Sequence, residues 1–146
     1  MNMRTTKIII ALIILVMPFY ACQLFFGEPP GPEIIKIVSA DTSSDTLVLK
    51  NAGNEPATTF EVKAGRTINW LVNTNNVANI DSIYKKPTTT SDNIFKTGPA
   101  RIGSSKNWTA SIDSSATVPQ FVDYNIDWTD KDGKKHTYDP RIQVKS

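Results

Sequence analysis

One histidine and a short run of aspartates carry nearly all the acid–base potential of this chain: His136, with Asp123, Asp127, Asp130 and Asp132 just before it. A serine-hydrolase site would need a nucleophile and an acid gathered around that histidine, and no glycine-flanked serine of the nucleophile-elbow type occurs. Paired carboxylates for glycoside hydrolysis work at roughly 5–9.5 Å, whereas Asp123 and Asp127, four residues apart on one extended segment, would be separated by about 13 Å. Asp127, Asp130 and Asp132 followed by Gly133 have a superficial likeness to a calcium loop, but Trp128 takes one ligand position and no glutamate follows. The expectation is therefore an acidic, solvated turn. A zinc site wants three or four ligands with nitrogen or sulfur among them, and His136 has no such company. His136 is expected at the end of a hairpin, with Tyr138 on its own face.

The remaining chemically distinctive residue is Cys22, the one cysteine in the chain. It closes a segment in which Arg4 and Lys7 precede an apolar run from residue 8 to 17, broken by Pro18 and followed by Phe19, Tyr20 and Ala21. This is the three-part layout of an export signal. A spanning helix needs about 20 apolar residues, and the stretch from Ile8 to Ala21 holds 14 with a proline inside it. Ordinary signal cleavage after Ala21 would put the bulky Phe19 where a small side chain is wanted. Ala21-Cys22 instead resembles the lipobox of bacterial lipoproteins, although Phe19 and Tyr20 are larger than the residues usual there. The resemblance implies removal of residues 1–21, a lipid on Cys22, and a place in the bacterial cell envelope, periplasmic or at the outer membrane. Gln23 resembles the residue that directs such proteins to an outer membrane.

Removal of that signal would change the charge argument. The chain has 16 Lys and Arg against 14 Asp and Glu, and Arg4 and Lys7 account for the whole excess. The remainder is formally neutral, which leaves no positive surplus for a phosphate backbone and argues against nucleic acid as a partner. Met1, Met3 and Met17 would leave with the signal too, so no redox cofactor is expected. Residues 22–32, with Pro29, Pro30, Pro32 and two glycines, read as a tether reaching up to about 30 Å from a bilayer. Leu24, Phe25 and Phe26 either enter the headgroup region or pack on the domain.

From residue 33 to 146 the pattern has period two. Val122, Tyr124, Ile126 and Trp128 alternate with Phe121, Asp123, Asn125 and Asp127, so an extended segment has an apolar row on one face. Similar alternation sets Phe60 and Val62, then Ile68, Trp70 and Val72, then Trp108, Ala110 and Ile112 inward. Residues 34–38, 47–49, 80–84 and 142–144 complete about eight strands, with no convincing helical period. The predicted fold class is an all-β antiparallel Greek-key sandwich, its core built largely from Trp70, Trp108 and Trp128. Gly65 and Gly133 mark two expected hairpin turns. Residues 85–103, interrupted by Pro87, Gly98 and Pro99, read as one long loop and the first place to seek a binding surface.

The run Phe60-Glu61-Val62-Lys63-Ala64-Gly65-Arg66-Thr67-Ile68-Asn69-Trp70 resembles the strand, glycine turn and Trp-ending strand of cupredoxin-like and immunoglobulin-like sandwiches. That resemblance implies their fold without copper chemistry, since a blue-copper site takes two histidines, a thiolate and usually a methionine.

Two functional classes follow. One is a non-enzymatic, lipid-anchored binding or interaction module with an envelope protein or glycan as partner, including the case of an accessory subunit docking through a sheet edge. The other is a carbohydrate-active or other hydrolase using Asp123, Asp127 and His136.

Overall fold

The computed structural model describes residues 30–87 and 89–146. The lipidation expectation at Cys22, and most of the tether, lie outside the described residues. Pro32–Ser146 forms one compact unit of ten strands. These are β1 (Glu33–Asp41), β2 (Thr46–Asn51), β3 (Thr59–Lys63), β4 (Thr67–Val72), β5 (Val77–Lys85), β6 (Phe95–Arg101), β7 (Trp108–Ile112), β8 (Phe121–Asp130), β9 (Lys135–Tyr138) and β10 (Arg141–Lys145).

The strands make two sheets that share one core. The first runs β2-β1-β4-β7-β6 and the second β3-β10-β8-β5, with β9 also paired to β8. β8 is long enough to hold β5 along one edge and, on the other, β10 at its start and β9 at its end. Alternation decides which side chains enter the core. Val122, Tyr124, Ile126 and Trp128 of β8 are all fully buried, facing Ile35, Ile68 and Trp70 of the other sheet's core set. Burying one such aliphatic side chain contributes about 1.5–3 kcal/mol, so a strand with one continuous apolar face holds its register strongly.

All three tryptophans are core residues, as their phase predicts. Trp70 and Trp108 stand opposite each other on β4 and β7. Trp70 Nε1 donates to the Tyr124 hydroxyl at 3.2 Å, and the two rings meet edge to face at 65°.

The structure departs from the expected sandwich in three ways. It has ten strands where about eight are expected, and two of its pairings, β1 with β4 and β3 with β10, are parallel. The Gly65 turn does not close a hairpin: β3 and β4 lie in different sheets, and the turn carries the chain across the sandwich. Gly65 has φ +75°, the left-handed region that glycine enters without steric cost. The long loop is also shorter than residues 85–103, because β5 runs to Lys85 and Phe95–Arg101 forms edge strand β6. What remains is tied down: Asp92 N donates to Phe121 O, Asp113 N donates to Ile94 O, and the Ile94 side chain is buried. Gly98 and Pro99 had masked β6, whose pairing with β7 slips in register on either side of Thr97. The Gly133 turn does join the antiparallel pair β8 and β9.

Candidate functional site

The outward face of β5, β8 and β9 forms a groove of about 660 Å³. Its shape begins with two irregularities in β5, where the register against β8 shifts between Val77 and Asn79 and again between Ile80 and Ser82. The inward positions thus become Val77, Ile80 and Ile83, three apart rather than two. A bulge turns two successive residues away from the core, and here that leaves Asp81 and Ser82 together beside the groove.

Asp127 of β8 lies between two strands that each supply a hydroxyl. Ser82 Oγ donates to its Oδ2 at 2.9 Å and Thr137 Oγ1 to its Oδ1 at 2.7 Å, following the register Ser82–Asp127–Thr137. Asp81 is fixed likewise, accepting from Thr129 Oγ1 and Asn79 Nδ2, both at 2.6 Å. Asn125 Nδ2 donates to the Tyr84 hydroxyl at 3.2 Å. Arg101 of β6 donates to Asn79 Oδ1 at 2.8 Å and to the Ile80 carbonyl, fastening β5 to the opposite sheet's edge strand. The groove is accordingly built on strands, with its polar atoms already oriented.

His136, also among the groove residues, buries its ring and links the two sheets. Its ring stacks on Trp128 with centroids 4.2 Å apart and planes 18° from parallel. Nδ1 lies 2.5 Å from Asp45 Oδ1, in the turn between β1 and β2, and Nε2 lies 3.1 Å from Asp130 Oδ2. The Asp45 carboxylate, aided by Asp130, raises the proton affinity of His136 against the opposing effect of burial. As an imidazolium the ring donates to both carboxylates, and neither nitrogen has a lone pair for a proton or a metal. Asp45 reaches this position in a left-handed conformation, φ +54°, which aspartate tolerates better than most residues.

Asp130 corrects the expected solvated acidic turn. It is buried and accepts from the backbone N–H of Asp132 and of Lys134, each at 2.9 Å, besides contacting His136. The His136 contact and those amides hold its carboxyl below the usual range. No group of His, Cys, Asp or Glu among the described residues is arranged to hold a metal ion.

Asp123 and Asp127, the expected carboxylate pair, belong to different surroundings. Arg141 Nε donates to Asp123 Oδ1 at 2.7 Å and Thr89 Oγ1 to its Oδ2 at 3.0 Å. The Arg141 contact first, then Thr89, holds the Asp123 carboxyl low. Asp123 lines a separate, smaller groove with Lys86, Asp139 and Arg141, in which Lys86 pairs with Asp139. His136 and Asp127 do line the same groove, but the partners of His136 are Asp45 and Asp130.

No protein-family model matches the chain, and no curated protein matches it. The groove residues that sequence reasoning missed are Asp45, Asp81, Ser82, Tyr84, Lys135 and Thr137. Asp45 is 91 positions from His136, with no spacing rule to join them. Ser82 and Tyr84 depend on a bulge, which turns both outward where simple alternation from Ile80 would turn them in.

Proposed function

We propose that this protein is a lipid-anchored binding module of the bacterial cell envelope, held by Cys22 and the tether of residues 22–32, and that the groove on β5, β8 and β9 is its binding face. The observation that carries the reading is the groove itself, whose polar side chains are fixed by cross-strand hydrogen bonds, while among the described residues no hydroxyl is paired with a histidine nitrogen. A hydrolase built on His136 would need an open ring nitrogen, and both are engaged with carboxylates. Pre-oriented groups on a rigid sheet lower the ordering cost of binding, which suits recognition. The Cys22 motif and neutral remainder of the chain support the anchor and argue against nucleic acid.

The test has two arms on the full-length protein in bacterial cells. Mass spectrometry of the processed N-terminus should find a diacyl or triacyl lipid on Cys22, and Cys22→Ser should move the protein out of the membrane fraction. A photo-crosslinking amino acid at Lys134, exposed in the turn next to the groove strand β9, should give discrete envelope adducts that disappear when Asp127→Ala and Tyr84→Ala are combined. Adducts indifferent to those changes, or turnover of glycan or ester substrates abolished by His136→Asn, would overturn the reading.

A further inference from the structure

The chemistry of the groove narrows what it can hold. Each oxygen of Asp127 already accepts one hydroxyl proton, from Ser82 or Thr137, and a carboxylate oxygen has room for a second donor. Ser82 and Thr137, having spent their protons on Asp127, present lone pairs. The floor is therefore a row of fixed acceptors. At the rim Lys135 supplies donors, and Tyr84, 37 % exposed, supplies an aromatic ring whose oxygen accepts from Asn125 and whose own proton remains to be given.

Charge separates the possible ligands. Asp45 faces His136 at 2.5 Å, so much of its charge is already answered inside the protein. A simple ammonium ligand would meet Asp81 and Asp127 but also the like charge of Lys135. An anion would meet both carboxylates. An apolar ligand would strip water from aspartate, serine, threonine and lysine without replacing those hydrogen bonds. A neutral polyol meets none of these objections: its hydroxyls donate to the acceptor row, accept from Lys135, and flank C–H faces that can lie on the Tyr84 ring. The volume of about 660 Å³ falls within the roughly 300–1,000 Å³ usual for small-molecule sites.

We infer that the groove of Asp81, Ser82, Tyr84, Asp127, Lys135 and Thr137 is a saccharide-binding site that takes an uncharged sugar unit of a glycan. Asp127 receives hydroxyl protons, Lys135 donates, and Tyr84 provides the stacking face. This assignment rests on the binding-module reading and names its ligand class.

Isothermal titration of the full-length protein, in a detergent without a sugar headgroup, with maltotetraose, cellotetraose and chitotetraose tests it. Spermidine and inorganic phosphate serve as charged controls. At least one tetrasaccharide should bind with a micromolar to millimolar Kd. Tyr84→Ala and Asp127→Asn should each weaken it by about tenfold, while Tyr84→Phe, which keeps the ring, should stay within about threefold. Circular dichroism melts should coincide for the wild type, Tyr84→Ala and Tyr84→Phe, separating lost contacts from lost folding. Failure of all three sugars, or sugar binding indifferent to both Tyr84→Ala and Asp127→Asn, overturns the assignment. Binding of spermidine or phosphate alone overturns it as well, since the groove would then read charge. If groove-dependent crosslinks to envelope proteins persist while no sugar binds, the saccharide assignment fails and the binding module stands; if neither occurs, both fail.

Discussion

Tyr124→Phe removes a single oxygen from the centre of the sandwich and offers a clean measurement of what the Trp70–Tyr124 hydrogen bond contributes. Both side chains are fully buried, and Trp70 Nε1 donates to the hydroxyl at 3.2 Å. The phenylalanine ring occupies nearly the same volume, so no sizeable cavity opens. What changes is that the Trp70 N–H loses its acceptor in a place water does not reach. An unsatisfied buried donor costs about 1–3 kcal/mol. Trp108 and Trp128 bury indole N–H groups with no hydrogen-bond partner among the described residues, so the fold tolerates that condition and the lower end applies. The expected loss is about 1 kcal/mol, or about 4 °C in Tm for a domain of roughly this size. Trp70→Ala sets the upper scale, since removing a buried tryptophan costs about 3–5 kcal/mol, or more than about 12 °C. Urea unfolding followed by circular dichroism on Tyr124→Phe, Trp70→Phe and the double variant isolates the pair. The double variant should lose about 1 kcal/mol less than the two single losses together, because removing both partners leaves neither unsatisfied. Additive losses, or a Tyr124→Phe melt within about 1 °C of the wild type, would refute the reasoning.

His136 should make stability depend on pH, because the folded state binds its proton more tightly than the unfolded chain does. The sign follows: the contribution is complete below the unfolded histidine value of about 6.5 and is lost as pH rises through the raised folded value. Melts in a pH series should show Tm declining above neutrality, a slope that His136→Gln flattens; Asp45 and Asp130 hold the proton, and Lys134 opposes it. Gly65→Ala should cost about 1–2 kcal/mol, since φ +75° is strained for any residue with a Cβ, and a urea titration measures the loss. Arg101→Met should release edge strand β6 from β5 and raise hydrogen exchange at the amides of Thr97 and Arg101, with little change in β8. Unchanged protection in β6 would show that Arg101 does not fasten it.

Much of the sandwich was readable from alternation, and the reason is local. A strand with one buried face declares itself through side chains two apart, so Val122, Tyr124, Ile126 and Trp128 identified β8 and predicted the burial of Trp128 without any knowledge of neighbours. The same rule failed for β6, where Gly98 and Pro99 resemble a loop and pairing with β7 supplies the order. It failed again at Gly65, because a glycine turn between two alternating runs looks alike whether the strands pair or part to opposite sheets.

By itself, the sequence determined the all-β class, the inward set that carries the core, the lack of a second histidine to join His136, and the charge balance on either side of Cys22. Tertiary structure decided which aspartates meet that histidine, and made Asp130 a buried partner where a hydrated turn was expected. It also decided that Ser82, Asp127 and Thr137 would share one groove. Those outcomes depend on register, bulges and the crossing between sheets, which are set by how the apolar faces of distant strands pack together. The polar side chains then take the neighbours that this packing delivers.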